Sequence, residues 1–454
     1  MVSIIALQPS PLVDPLPELT TADRVSVVIN PDSFTGWVEV FTQESTADDY
    51  LLAPGDYRAW GKCKLAQANP VDRRRVIRFI DPERKPWDPD AGEAVVAGFE
   101  FLRGAAHWVV QGLTLRGPDS TACYVRPGAE HVVFDSMLIE DFGAYGVRLL
   151  GNYSTVQNCV IRRMAPGVDG CAVEIRVRDT PNVGNRVLDN EIYDCNDGVG
   201  VIWNSRKDAD HYVECRDLVV EGNDLYLTSN RHVIRPAGTF AGAENAIDIK
   251  AGPRSVSEPM RFTGNRMWGF RRTVPGSDGP ASDGAAVTIH RGAQRILFEG
   301  NVIFDCPIAF HEVVRDREDP NQEDREVVLR SNIISLMCPY NEQDPGAVLR
   351  TRTSFTLEDN LLSHSHTLSA LAKIDSGDVY NGNVLYDIPL GQASADWTDD
   401  ANHIAEASQM RDVLIMCRRW THPELMNLHS AVPKPEQVSG GIDSPAWRTT
   451  PSAQ

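Results

Sequence analysis

The chain has 454 residues, 42% of them hydrophobic, with 34 Gly, 29 Pro and a formal net charge of −19. That length allows one large domain or up to about three ordinary ones, and so much Gly and Pro argues for turns and short strands rather than a helical bundle. The acidic total excludes an ordinary nucleic-acid binder, and no run of about 18 apolar residues offers a membrane span; a local basic groove can still take an anionic ligand.

The first twenty residues, MVSIIALQPSPLVDPLPELT, lack a basic start and carry early prolines. They make a poor signal peptide, so the chain reads as cytoplasmic as it stands, or secreted if a leader has been removed. Residues 1–50 are read as an N-terminal cap region. Beyond them a repeat sets in. An asparagine followed by a short apolar run recurs in EGNDLYL, TGNRMWGF, EGNVIFD, RSNIISL and EDNLLSH. Asn158, Asn190 and Asn383 extend the series, and Gly112 and Ser136 take the same place earlier. The shortest spacing is that between Ser136 and Asn158. It is too short for a propeller blade of about 40 residues, so the repeat predicts a solenoid.

Each repeat contains three short strands. One carries the run after the Asn, one precedes it (RVLDN, RILFEGN, VVLRSN, FTLEDN), and one lies further upstream (YGVRLL, CAVEIRV, AIDIK, AAVTIH). Stacked Asn side chains would hydrogen-bond from coil to coil at a tight bend, and Asn tolerates the left-handed conformation such a bend needs. The predicted fold is all-β, a right-handed parallel β-helix of about ten or more three-strand coils over residues 51–395. Residues 396–454 are read as a C-terminal capping helix, ASQMRDVLIMCRRW, and a loosely ordered Pro/Ser/Gly-rich tail. The nine cysteines are odd in number and show no metal-like CxxC spacing. Cys195, Cys306 and Cys338 follow repeat asparagines at similar distances, which predicts interior thiols rather than disulfides.

Alternation along a strand assigns faces. With Ile247, Ile249, Val287 and Ile289 inward, Glu244, Asp248, Lys250, Thr288 and His290 point outward. The same reasoning sends out Arg148, Glu174, Arg176, His311 and Arg350, with a Gly200/Ile202/Asn204 coil leaving room for a ligand. These groups form a column of basic and titratable side chains across the coils. In so acidic a chain, such a column suits an extended anionic ligand. Arg148, Arg176, Asn204, His311 and Arg350 are therefore the candidate substrate-binding residues.

Glu244, Asn245, Asp248 and Lys250, with His290 and Arg291 one coil on, form the sharpest constellation. A uronic-acid chain could be cleaved there by β-elimination. The C5 proton beside the carboxylate must be removed while a cation neutralises that carboxylate. Lys250 can serve as base if its surroundings lower its pKa, and Glu244, Asn245 and Asp248 can supply oxygen ligands to calcium. The plain alternative for Asp248 and Lys250 is a surface ion pair bracing a loop.

AENAIDIKAG and AAVTIHRGAQRILFEGN resemble the active-site coils of polysaccharide lyase family six, the chondroitinase B and alginate lyase group, and LLAPGDYRAWGKCKL resembles the opening coils of related β-helices. The resemblance implies a lyase acting on an acidic polysaccharide or oligosaccharide. Lys250 matches the base, Glu244 and Asn245 the calcium-ligand region, and His290-Arg291-Gly292 the place of an Arg-His-Gly. Asp169, Asp197 and Asp283, each before a Gly, keep a carboxylate-based glycoside hydrolase open, though Asp-Gly is also ordinary turn chemistry. An epimerase and a glycan-binding fibre module remain further alternatives, and the oligomeric state stays open.

Overall fold

The structure, a computed structural model, describes residues 24–404 except 71–72, 84, 89–91, 165–169, 204–213, 229–231, 235–239, 243, 254–257, 271–284, 291–292, 314–325, 336–345, 351–354, 364, 366, 370–378, 387, 391–401. The chain coils through three long sheets whose strands all pair in parallel. The first sheet has 11 strands, from Cys63–Leu65 to Thr367–Ser369. The second has 13, from Ser26–Ile29 to Val379–Asn381. The third also has 13, from Gly55–Asp56 to His403–Ile404. One strand of each makes a turn, as in Thr121–Val125, Glu130–Asp135 and Leu138–Glu140. The second sheet begins before residue 51, because Ser26–Ile29 already pairs with Asp49–Leu52. A short helix, Trp37–Gln43, lies between those two strands in sequence, with Trp37 and Val40 buried. No helix among the described residues is long and apolar enough to cross a membrane.

The core runs down the middle of the coil. Ile247, Ile249, Val287 and Ile289 all lie in it, as alternation predicts. Described cysteines, Cys195 and Cys306 among them, are buried free thiols; Cys338 and the predicted C-terminal helix lie outside the described residues.

The asparagine repeat is a continuous ladder. Each Asn side-chain oxygen accepts from the backbone N–H and the amide of the Asn one coil earlier, at 2.9–3.1 Å, from Asn190 through Asn223, Asn265, Asn301, Asn332, Asn360 and Asn383 to Asn402. Two details differ from expectation. The left-handed residue is not the ladder Asn but the one before it: Asp189, Gly222, Gly264, Gly300, Ser331, Asp359 and Gly382. Asn158, Ser136 and Gly112 also have positive φ, so they sit one residue early. The ladder place in the coil of Asn158 belongs to Cys159, whose backbone N–H donates to Asn190 Oδ1 at 2.9 Å. The first coils therefore close the bend with apolar side chains.

A second stack marks the corner between the first and second sheets. His107 and His131 lie 4.7 Å apart and parallel, and Tyr153 continues the stack at 5.1 Å. Burial lowers the pKa of both imidazoles; Arg74 lowers both further, His131 also lowers His107, and Glu130 opposes. Their folded pKa thus lies below the unfolded value of about 6.5. Their contribution is present above about pH 6.5 and lost as pH falls through the folded value. We expect denaturant melts to show lower stability at about pH 5.5 than at about pH 7.5, and His131→Phe to flatten that difference. An unchanged pH slope in the variant would contradict this.

Candidate functional site

Strand register in the first sheet resolves the expected column into two adjacent ones. Arg148 pairs with Glu174, Glu174 with Gly200, Gly200 with Asp248, Asp248 with Thr288, Thr288 with His311 and His311 with Arg350. Beside them, Arg176 pairs with Ile202, and Lys250 and His290 follow Ile249 and Ile289, which pair with each other.

Asp248 is the hub. It sits on the outer face of its strand yet is only 1% exposed. Lys250 Nζ lies 2.6 Å from its Oδ2. His290 Nε2 lies 3.0 Å from its Oδ1, close enough for an ion pair but off the line of a hydrogen bond. Burial alone would raise the Asp248 pKa, but His290 and Lys250 outweigh it and the net shift is downward. Burial alone would lower that of Lys250, but Asp248 outweighs it and the net shift is upward. This reverses the shift expected for a lysine base: at neutral pH Lys250 is an ammonium beside an ionised carboxylate.

A second layer lies beneath. The strand Asn245–Ile249 breaks alternation, because Ala246 and Ile247 are both fully buried in the core. That bulge turns Asn245 to the same side as Asp248. The Thr288 hydroxyl donates to Asn245 Oδ1 at 2.6 Å, and the Asn245 amide reaches Asp197 Oδ1 at 3.4 Å. Asp197, in register with Asn245, is 2% exposed. Burial, then the nearby Asp248 charge, push its pKa well up. The pKa values of two neighbouring carboxyls are thus driven apart, that of Asp248 downward and that of Asp197 upward. Asp197 opens the strand Asp197–Trp203 rather than filling the turn role that Asp-Gly chemistry suggests. The space expected over Gly200 is also filled: a Cβ there would meet Cys171 Sγ at 2.6 Å.

Calcium needs several carboxylate or carbonyl oxygens with free lone pairs. Asp248 Oδ2 is held by the Lys250 ammonium, its Oδ1 faces His290 Nε2, and Asn245 Oδ1 is taken by Thr288. Among the described residues no group of three His, Cys, Asp or Glu could hold a metal. Glu244 is half-buried, with its backbone N–H on Asn196 O at 2.7 Å. Glu244, Asn245 and Asp248 in this arrangement do not fit the ion.

The candidate binding arginines are also braced. Arg148 and Arg176 both grip Glu174, Arg176 at 2.5 Å, and the Arg148 guanidinium lies 4.4 Å from the Tyr145 ring. Arg350 is half-buried, whereas His311 is only 7% exposed and not the open contact expected of it. Asn204, Arg291, Asp169 and Asp283 lie outside the described residues. Sequence reasoning placed Thr288 on the outer face but missed its bond to Asn245, and it missed Cys171 beside Asp197.

No family model matches the chain, and no curated protein matches its sequence. Among solved structures, a PL6 family alginate lyase superposes with a TM-score of 0.53 at 13% identity, over 84% of this chain and 53% of that one. The fold is a right-handed parallel β-helix. The catalytic domain of a GH87 α-1,3-glucanase in complex with tetrasaccharides gives a TM-score of 0.50 at 11% identity, over 79% of this chain and 69% of that one. The chain spans about half the length of the alginate lyase, and identities this low establish the shared β-helix alone.

Proposed function

We propose that the protein is a polysaccharide lyase that cleaves an acidic, uronic-acid-containing glycan by β-elimination on the outer face of the first sheet. The observation that carries this reading is the buried Asp248 holding Lys250 and His290 side by side at the middle of that face. Elimination needs a cation for the substrate carboxylate, a base for the C5 proton and a proton for the leaving oxygen. Lys250, kept as an ammonium by Asp248, supplies the charge that makes C5–H more acidic. His290, whose Nε2 lies beside Asp248, offers Nδ1 as base. The C5–H electrons form the C4–C5 double bond, the C4–O bond breaks, and the leaving oxygen takes a proton from Lys250 or water. The activity of one structural neighbour, an alginate lyase, is consistent with this chemistry.

A second reading has one observation in its favour. Asp197 and Asp248 have pKa values driven in opposite directions, the pattern of an acid and a base in a glycoside hydrolase. Both are almost fully buried, beneath the more exposed Lys250 and His290, so the lyase reading is the better supported.

The substrate class has its own test. Polygalacturonate and polymannuronate should bind more weakly as salt rises, because exposed charges are screened, whereas neutral glucans should not bind. Salt-independent binding of a neutral glucan in affinity electrophoresis would overturn the acidic-glycan assignment.

A further inference from the structure

The first sheet carries another cationic cluster, well away from Asp248. Register runs from Glu100 through Tyr124, Arg148, Glu174 and Gly200 to Asp248. Five strand spacings put Glu100 about 24 Å from Asp248 and Tyr124 about 19 Å from it, spans that an oligosaccharide bridges and a single sugar does not.

Glu100 is 9% exposed. Arg126 Nε donates to its Oε1 at 2.7 Å, and Lys64 Nζ stands 3.7 Å from its Oε2. The Arg126 guanidinium lies 3.9 Å from the Tyr124 ring centroid, so the ring and the carboxylate fix its plane. Both cationic side chains still reach solvent, Arg126 at 42% and Lys64 at 63% exposure. Two cations share one carboxylate here, which leaves one positive charge in excess. The cluster on the third sheet is different. There Arg116, Arg162 and Arg163 surround Glu140, but Arg116 also pairs with Glu93 and Arg163 with Asp141, so three cations meet three carboxylates.

We propose that Lys64, Glu100, Tyr124 and Arg126 form a distal subsite that binds a carboxylate-bearing sugar of the same polymer, several rings from the sugar at Lys250. This rests on the acidic-glycan reading above. Glu100 and Tyr124 act by positioning: they hold the guanidinium flat with most of its five N–H donors directed away from Glu100. The exposed Lys64 ammonium adds charge without fixed geometry. Arg148, facing both Tyr124 and Tyr145, continues the cationic path toward the centre.

The experiment compares long polygalacturonate and polymannuronate chains with their trimers, for wild type, Lys64→Ala, Arg126→Ala and Arg126→Lys. A trimer at Lys250 is too short to reach the distal cluster. KM for the long chains should rise about tenfold in Arg126→Ala and less in Lys64→Ala, the range of one charge-assisted contact, with kcat unchanged. The trimers should show no change, and Arg126→Lys should recover only part of the loss, because it lacks the planar fork. Lys64 is so exposed that its variant keeps the test available if Arg126→Ala misfolds. Unchanged KM on the long chains, or an equal loss on trimers, overturns the subsite while the lyase reading stands. A wild type inert on every uronate polymer overturns the lyase reading and the subsite with it.

Discussion

Lys250→Ala and His290→Ala should each reduce elimination by about 10² to 10⁴ without unfolding the protein, the usual range for losing an acid or base. Lys250 and His290 are partly exposed, and their removal opens no cavity in the core. The roles separate in the conservative variants. Lys250→Arg keeps a permanent charge beside Asp248, so it should retain a measurable part of the rate. A base at position 250 would leave Lys250→Arg as dead as Lys250→Ala, since a guanidinium stays protonated. His290→Gln should be as inactive as His290→Ala, because an amide cannot take the C5 proton. Asp248→Ala differs from both, because it leaves the Lys250 ammonium and His290 without the carboxylate that holds them. Breaking a buried ion pair costs roughly 3–5 kcal/mol, so this variant should lose stability as well as rate. Full activity in Lys250→Ala with loss in Asp197→Asn would transfer the chemistry to the carboxyl pair.

The largest stability effect outside the site should come from the ladder. Asn301→Ala should destabilise the protein by about 3–5 kcal/mol, the sum of several buried groups losing partners at roughly 1–3 kcal/mol each. Asn301 Oδ1 accepts from Asn265 N and Nδ2, and its amide donates to Phe262 O and Asn332 Oδ1. Truncation removes all four bonds at a site fully shielded from solvent. The control is Asn158→Gly. Asn158 is exposed, has φ 54° and donates from its side-chain amide to Asp135 Oδ1, so glycine should suit the backbone and cost little. Denaturant unfolding of both variants checks the contrast, and equal losses would contradict the ladder account.

That contrast also shows what the sequence could reveal. The period of the Asn-led runs exposed the coil, because a side chain that must meet its own copy one turn later has to recur. The core assignment of Ile247, Ile249, Val287 and Ile289 followed from simple alternation. The bulge at Ala246 and Ile247 did not, since nothing local marks two successive inward residues; it hid the approach of Asn245 to Asp197. The ladder register slipped by one at Asn158 because the left-handed residue before the ladder and the ladder residue itself both accept Asn. The state of Lys250 was out of reach for a different reason. Its pKa depends on whether burial or Asp248 prevails, a balance of two opposed effects that only distances decide.

The most direct measurement follows ultraviolet absorbance while the wild-type protein acts on a panel of uronic-acid polymers, with reducing ends counted in parallel. Elimination creates a C4–C5 double bond conjugated with the carboxylate, so absorbance should rise in step with new reducing ends, and Lys250→Ala and His290→Ala should abolish both signals. Reducing ends that accumulate with no absorbance gain would contradict the lyase account and establish hydrolysis in its place.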